Sequence, residues 1–471
     1  MDTEIFITTE QFLYLLGVGF YLFFFGLFLR SLSWKWYADK NYWHRRPNLD
    51  LNKIKTLANQ KRIELPFFSI LVPARNESEV IANTIEHLAS LNYPHDRYEI
   101  VVITDEKEIL AKDKGSVTTQ EVVENKIREF AKRENVPQLK HVTVPHDFNG
   151  RFRGHCVGHT IPSTKGRALN YGLAFVDRRT NICGFYDAES HPEADVLLYI
   201  ALRWLQDPRD RIWQGPVFQV RNFYQVGVIC KIVALYQALS HAWYLPILMK
   251  RLPFAGGTNL FVSRRLLERI GGYDHRALTE DLELGVRAYL ETGVWTEYIP
   301  YYSTEQTPAT FLAYFRQRLR WGSGHLQVYE KYRHAYYYPQ EKREPIVKSL
   351  FWKGEGQWLF YQAAVLIPLI LIFLNSQGLL DPSIVPESVR NVLKYLCLIY
   401  FLFTFGVYFR FRKLMNPAPF PVKIFGVVQL LALPVASFFM PLPFTTASIM
   451  KLLRRQPQVW VKTPRTKEAT H

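Results

Sequence analysis

Hydrophobic and polar positions fall into three regimes along the chain. Gln11–Leu29 is an uncharged run rich in Phe, Leu and Tyr, close to the roughly 20 residues that cross a bilayer. From Phe67 to Tyr186, short apolar runs alternate with stretches at helical spacing. Phe67–Val72 (FFSILV) and Glu99–Thr104 (EIVVIT) read as buried strands, and Leu139–Val144 and Ile182–Tyr186 as two more. Ser78–Leu91, with Val80, Ile81, Ile85, Leu88 and Leu91, reads as a helix, as do Glu121–Arg133 and Ala168–Phe175. Strand–helix alternation of this kind predicts an α/β fold with a mostly parallel sheet and helices on both faces. Ligands then bind outside the carboxyl ends of the strands, where Asp105 and Asp187 stand.

The third regime is again apolar. Gln357–Leu374 and Val392–Phe409 each read as one span, and Val422–Met450 as a longer stretch interrupted by Pro434, Pro441 and Pro443. Arg30, Lys35, Lys40, Arg45 and Arg46 follow the first apolar run, whereas Asp2, Glu4 and Glu10 precede it. The positive-inside bias therefore puts the middle of the chain in the cytoplasm. A simple span over 422–450 would export Lys451, Arg454, Arg455, Lys462, Arg465 and Lys467. A proline-broken pair that enters and returns keeps them inside. These readings predict a multi-pass cell-membrane protein with three parts: residues 1–50 a membrane helix and basic segment, 51–345 the α/β domain, and 346–471 a membrane bundle with a basic tail. Lys331–Arg343 reads as the most linker-like stretch.

The net charge of +16 suits phosphates or anionic head groups. No zinc-finger spacing or basic recognition helix points to nucleic acid. Cys156, Cys183, Cys230 and Cys397 form no paired framework and fit a reducing compartment. His141, His146, His155 and His159 lack the paired spacing of a structural zinc site and read as loop or core histidines.

Candidate chemistry lies where the elements end. Asp187-Ala188-Glu189 sets two carboxylates just past a strand; oxygen-only ligands suit Mg²⁺ or Mn²⁺, and a solvated loop acid is the alternative. Lys165 and Arg167 open a helix and could meet phosphates. Gly256-Gly257-Thr258-Asn259 is either a place where a ligand approaches the backbone or an ordinary turn. Thr279-Glu280-Asp281 begins the helix Asp281–Leu290, with Thr279 as a cap and the acids as candidate general bases. Thr310–Leu326 is amphipathic and carries Gln317, Arg318, Arg320 and Trp321, as an interfacial helix would.

In this order the pieces resemble the membrane-embedded family 2 glycosyltransferases, among them cellulose, hyaluronan and chitin synthases and lipid glucosyltransferases. The residues that carry the resemblance are Val72-Pro73-Ala74-Arg75-Asn76-Glu77, Asp105, Lys165 with Ala168-Leu169-Asn170, Asp187-Ala188-Glu189, Gly256-Gly257-Thr258-Asn259, Thr279-Glu280-Asp281, and Gln317 with Arg320-Trp321. The resemblance implies a GT-A (Rossmann-like) fold, a nucleotide-sugar donor (most often UDP-linked) and inversion at the anomeric carbon. It implies that Asp281, with Glu280 beside it, is the base. Asp105, Lys165, Asp187, Gln317 and Arg320 would bind the donor, Trp321, Gly257 and Thr258 the acceptor, and Asp187 and Glu189 the metal. Two departures stand out: Thr104-Asp105-Glu106 where the family has paired aspartates, and D-x-E where it has D-x-D. The expected reaction is transfer of a hexose or N-acetylhexosamine to a hydroxyl at the inner membrane face, extending a β-linked polysaccharide. The alternatives are a lipid glycosyltransferase acting, for example, on diacylglycerol, and an inactive membrane assembly factor. The expected partners are the nucleotide sugar, membrane lipid, a glycan or lipid acceptor, and a second copy or an export partner.

Overall fold

A computed structural model describes residues 8–112, 116–379, 386–455 and 466. Asp2, Glu4, Lys462, Arg465 and Lys467 lie outside the described residues.

Thr9–Asn41 (α1) is one helix, started by a capping box in which Thr8 and Gln11 satisfy each other's backbone donors. It continues twelve residues beyond the apolar run that announced it. After Leu51–Lys61 (α2) the α/β domain begins: Phe67–Pro73 (β1), Ile81–Ala89 (α3), Tyr98–Asp105 (β2), Glu106–Leu110 (α4), Thr119–Phe130 (α5), Gln138–Val144 (β3), Lys165–Gly172 (α6) and Thr180–Phe185 (β4). Next come His191–Pro192 (β5), Val196–Gln206 (α7), Ile212–Gln214 (β6), Val217–Gln219 (β7), Val228–Leu239 (α8), Leu245–Leu248 (α9), Leu260–Ser263 (β8), Arg264–Arg269 (α10), Glu280–Thr292 (α11), Thr296–Tyr298 (β9) and Ser303–Glu305 (β10).

The main sheet has the order β3-β2-β1-β4-β8-β6-β9. Its first four strands run parallel, β8 is reversed against both β4 and β6, and β9 is parallel to β6. This is the mostly parallel α/β arrangement expected. Alternate strand residues face opposite layers. Phe68, Ile70, Val72, Ile100 and Val102 pack beneath α3 and α7, while Leu71, Val101, Ile103, Cys183 and Phe185 pack against α6, α10 and α11. Full burial on both faces explains why β1 and β2 read as unbroken apolar runs rather than alternating ones. A second sheet, β5-β10-β7, is built from strands of two or three residues, too short to leave a period in the sequence.

Phe311–Arg333 (α12) is capped by Thr310, whose side chain accepts from Ala313 N. The helix does not lie free on a surface. Tyr314, Gln317, Arg318 and Leu326 are buried in it, and Leu312 faces outward. Gln340–Leu350 (α13) follows closely, so the linker expected over Lys331–Arg343 shrinks to residues 334–339. Gln357–Ser376 (α14) and Glu387–Phe411 (α15) coincide with the two expected spans. The last apolar region breaks at its prolines into Phe420–Val428 (α16), Leu433–Phe439 (α17) and Leu442–Leu452 (α18). Lys451, at the end of α18, pairs with Glu330 of α12 at 2.6 Å, and Phe444 stacks on Trp358 at 4.2 Å. The chain thus comes back to the helix that carries the Gln/Arg/Trp motif.

Among the described residues, four helical stretches are long and apolar enough to cross a membrane: Val228–Leu248, Gln340–Ser376, Glu387–Leu414 and Phe420–Leu452. The first was not read as helical from sequence. It is 61% buried within the protein, joined through a π-helical turn at Ser240–Tyr244.

Candidate active site

The loops at the carboxyl ends of β1, β2 and β4 meet α11 and α12 around a cavity of ≈ 490 Å³, within the usual size of a ligand site. Asp105, Lys165, Asp187, Glu189, Gly257, Thr258, Glu280, Asp281, Gln317, Arg320 and Trp321 all line it. Segments more than 200 residues apart in the chain, from Asp105 to Trp321, are therefore brought to one place.

Lys165 sits at its centre. Thr164 caps α6 by accepting from Arg167 N, which holds Lys165 in the first turn. The ammonium pairs with Asp187 and donates to Gly257 O at 2.6 Å. Burial works against its charge, yet Asp187, Glu280 and Asp281 together keep its pKa above the ordinary lysine value. Burial also pushes Glu280 up to about 7, helped by the neighbouring Asp281 charge, and raises Asp281. Two adjacent acids in a desolvated site cannot both ionise cheaply, and their protons leave as a property of the pair. The Asp281 charge raises Glu280, whereas burial raises Asp281, so Glu280 is neutral where Asp281 ionises. Glu280→Gln is therefore expected to leave the acid limb of the pH–kcat/KM profile in place; a limb moved to lower pH would show that Glu280 is already charged where Asp281 titrates.

Asp281 Oδ1 accepts from Leu282 N at 2.8 Å. Its Oδ2 lies 3.0 Å, and Lys165 Nζ 3.1 Å, from where a β-carbon at Gly257 would stand. The missing side chain at Gly257 thus leaves the space between base and ammonium open, which favours close ligand approach over the ordinary turn. Gly257→Ala is expected to lower kcat/KM by at least tenfold, measured by product formation, with the melting temperature little changed.

Several expected roles change in the structure. Thr279 does not cap α11 through its side chain; its hydroxyl makes no capping bond and is buried with no hydrogen-bond partner among the described residues. The reason lies in α12, where Gly324 comes so close that a β-carbon would stand 2.8 Å from Thr279 Oγ1. Arg167 does not reach a phosphate: its side chain is 1% exposed and is held by Asp105 at 3.2 Å and by Phe148 O at 2.9 Å. Asp105 itself accepts from Lys107 N at 3.1 Å and from Ser163 Oγ at 2.6 Å. The Thr258 hydroxyl lies 2.8 Å from Ser190 Oγ and accepts from Asp187 N at 3.2 Å, bracing the acidic turn. Glu189 is buried on the same wall as Asp187, and one of its oxygens accepts from Gln306 N at 3.3 Å.

Asp187 and Glu189 supply only carboxylate oxygens, and Asp187 is 31% exposed to the cavity. One or two carboxylates, completed by substrate phosphate, is the donor set that hard divalent cations commonly take. The two residues therefore fit such an ion.

Gln214, Gln306 and Gln327, which carry no sequence signal, act beside Arg318 and Arg320 of the motif. Gln327 grips the acidic loop, donating to Arg276 O at 3.1 Å and accepting from Leu278 N at 2.9 Å. Arg320 donates to Leu278 O at 3.0 Å. Gln214 holds the glycine loop by accepting from Gly256 N at 2.6 Å and donating to Thr258 O at 2.9 Å. Gln306 pairs with the backbone of Thr466, accepting from its N–H at 2.8 Å and donating to its carbonyl at 2.9 Å. Arg318 is buried, donates to Gln219 Oε1 at 2.9 Å and stacks 3.8 Å from Trp321; burial lowers its pKa to about 10. Trp321 thus rests on a guanidinium, with its ring on the cavity wall.

Residues 185–415 match the family model described as glycosyl transferase family group 2. The chain is 28% identical over 318 residues to the probable glycosyltransferase YdaM of Bacillus subtilis, an alignment covering 66% of each protein. It is 27% identical over 292 residues to a beta-monoglucosyldiacylglycerol synthase of Nostoc, covering 58% of this chain and 52% of that one. The chain thus spans from about half to two thirds of the length of these relatives. Among solved structures, the mannosyltransferase PcManGT from Pyrobaculum calidifontis, in complex with GDP-Man and Mn²⁺, aligns over 93% of this chain and 99% of that one, with 18% identity and a TM-score of 0.49. The family match runs from the last residue of β4 through the acidic loop and the Gln/Arg/Trp helix, which line much of the cavity, and over this segment the chain is similar to the family 2 glycosyltransferases.

Proposed function

We propose that the chain is an inverting glycosyltransferase that moves a hexose or N-acetylhexosamine from a nucleotide diphosphate sugar to a hydroxyl of a membrane lipid. One observation carries this reading: a single cavity is lined both by charged groups, Asp105, Lys165, Asp187 and Arg320 with the acid pair, and by an apolar set, Leu245, Leu248, Leu252, Phe254, Trp358 and Phe444. The charged groups suit a nucleotide and its diphosphate. The apolar residues suit an acyl chain, and Ser240, His241, Tyr244, His325, Lys353 and Gln357 in the same lining offer polar partners to a head group. This observation moves the preference from polysaccharide to lipid, and the relative named for glucosyldiacylglycerol synthesis agrees with it.

In this reading the acceptor O–H gives its proton to Asp281 as the oxygen attacks the anomeric carbon. The bond from that carbon to the diphosphate breaks, the electron pair leaves with the diphosphate, and the configuration inverts. Lys165 and Arg320 offset the charge that develops on the leaving group, Gln317 borders it, and Trp321 offers a flat face to the acceptor. When bound by Asp187 and Glu189, Mg²⁺ or Mn²⁺ supplies Lewis-acid neutralisation of diphosphate oxygens. The catalytic side then faces the cytoplasm, where nucleotide sugars are made.

The test uses the full chain in vesicles containing diacylglycerol, with labelled UDP- and GDP-sugars and either cation, before and after chelation. A solvent-extractable glycolipid is expected. A polymer as sole product would overturn the lipid acceptor, and failure to turn over any nucleotide sugar would favour an assembly role.

A further inference from the structure

Some basic residues near the cytoplasmic ends of the membrane helices have acidic partners, while others, such as Lys40, Arg412 and Lys413, make no ion pair among the described residues. Lys35 pairs with Asp39 at 2.6 Å, Arg410 with Asp39 at 3.5 Å, Arg46 with Glu193 at 3.0 Å, and Lys451 with Glu330 at 2.6 Å. Among the unpaired ones, Arg30, Arg251 and Lys353 form a group. They come from α1, the segment after α9, and the π-helical turn that leads into α14. The charges acting on Lys353 are those of Arg30 and Arg251, both positive, and among the described residues none of the three makes an ion pair.

Aromatic contacts hold this group together. The Arg30 guanidinium lies 4.5 Å from the Trp34 ring, Trp34 packs on Tyr244 at 4.7 Å, and Lys353 Nζ lies 5.9 Å from the centre of the Tyr244 ring. The Tyr244 hydroxyl is buried with no hydrogen-bond partner among the described residues. Tyr244 and Lys353 both line the cavity that holds the apolar set, and Trp352, the neighbour of Lys353, is 65% exposed, as an aromatic at head-group depth would be. Phe23 of α1 meets Phe360 of α14 at 4.6 Å, so both cation-bearing helices run side by side from this point into their apolar stretches.

Arg30 and Arg251 both act on Lys353, and with the Tyr244 hydroxyl and the apolar wall they form a set of groups complementary to an anion that carries a hydrocarbon tail. We propose that Arg30, Arg251, Lys353 and Tyr244 bind the phosphate of an anionic phospholipid, whose acyl chains lie along α1 and α14. This lipid sits beside the apolar lining of the cavity, so membrane charge is sensed next to the acceptor. The inference does not depend on which acceptor is glycosylated.

Detergent-solubilised full chain is incubated, without sugar donor, with equal amounts of phosphatidylglycerol and phosphatidylcholine, and the retained lipid is read by native mass spectrometry. The wild type is expected to retain phosphatidylglycerol preferentially. Each basic group near the membrane surface favours an anionic lipid modestly, so the Arg251→Gln/Lys353→Gln double variant should lose about tenfold of that preference. Arg251→Lys/Lys353→Arg should keep it. Equal retention of the two lipids by the wild type, or an unchanged preference in the Gln variant, overturns the proposal. So does displacement of phosphatidylglycerol by an equal concentration of inorganic phosphate, which would mark a free-anion site. Because no donor is present, loss of the transferase reading leaves this result standing, and the reverse also holds.

Discussion

Asp281→Asn is expected to lower kcat for glycosyl transfer by about a thousandfold while donor binding changes little. General-base assistance contributes roughly 10²–10⁴. The middle of that range is expected here. Asp187 is engaged with Lys165, while Glu280, which the Asp281 charge helps to raise, loses that neighbour in the variant and can take over only in part, from its own position. Asparagine keeps the shape of the side chain and can still accept from Leu282 N, so the start of α11 should survive. Its amide cannot take a proton from the acceptor hydroxyl. The measurement is initial rate of labelled product against donor concentration, with donor affinity determined separately. A kcat within tenfold of wild type would remove Asp281 as the base. A large rise in donor KM with kcat unchanged would instead place Asp281 in the donor site.

The acid loop was legible because helix start, acidic pair and later Gln/Arg/Trp spacing all survive in one dimension. The parallel strands were legible for a similar reason: β1 and β2 are buried on both faces, so apolar runs between turn residues announce them. The signals that failed are those that only tertiary contact creates. Lys165 and Arg167 are two positions apart with like charge. One turn of helix aims the first into the cavity and the second into the Asp105 pocket. Thr279 has the right chemistry for a cap, but Gly324 of α12 fills the space beside it. Gln214, Gln306 and Gln327 each clamp a loop by pairing a side-chain amide with backbone groups, and a lone glutamine carries no period or motif. The reversed strand β8 is four residues long. Its direction depends on β4 and β6 on either side, so the sequence suggested a more uniformly parallel sheet than the one that forms. Val228–Leu248 was hidden by its own burial, since a helix packed on several sides loses the amphipathic stripe by which helices are recognised.

Lys165→Met is expected to damage both the fold and the chemistry of the site, because one ammonium offsets three carboxylates. In the wild type Lys165 pairs with Asp187 and lies within the field of Glu280 and Asp281. Breaking one partner out of a buried ion pair costs about 3–5 kcal/mol. Asp187 is 31% exposed to the cavity, so solvent screens part of the loss and about 3 kcal/mol is the better expectation. The sign of the pH dependence follows from the acids. Glu280 and Asp281 already have folded-state pKa values above those of the unfolded chain, and removing the ammonium raises them further. A raised acid destabilises the fold above its folded pKa, and the penalty disappears below the unfolded value, about 4 for these residues. The difference in melting temperature between wild type and variant should therefore be widest above neutrality and narrow as the pH falls toward 5. Protonation restores stability but not catalysis. With the ammonium gone, the leaving diphosphate loses a fixed positive charge, and kcat/KM should fall about a hundredfold at every pH where the protein is folded. A melting difference independent of pH would mean that Lys165 acts through packing rather than through the acids. Unchanged turnover would remove it from the donor site.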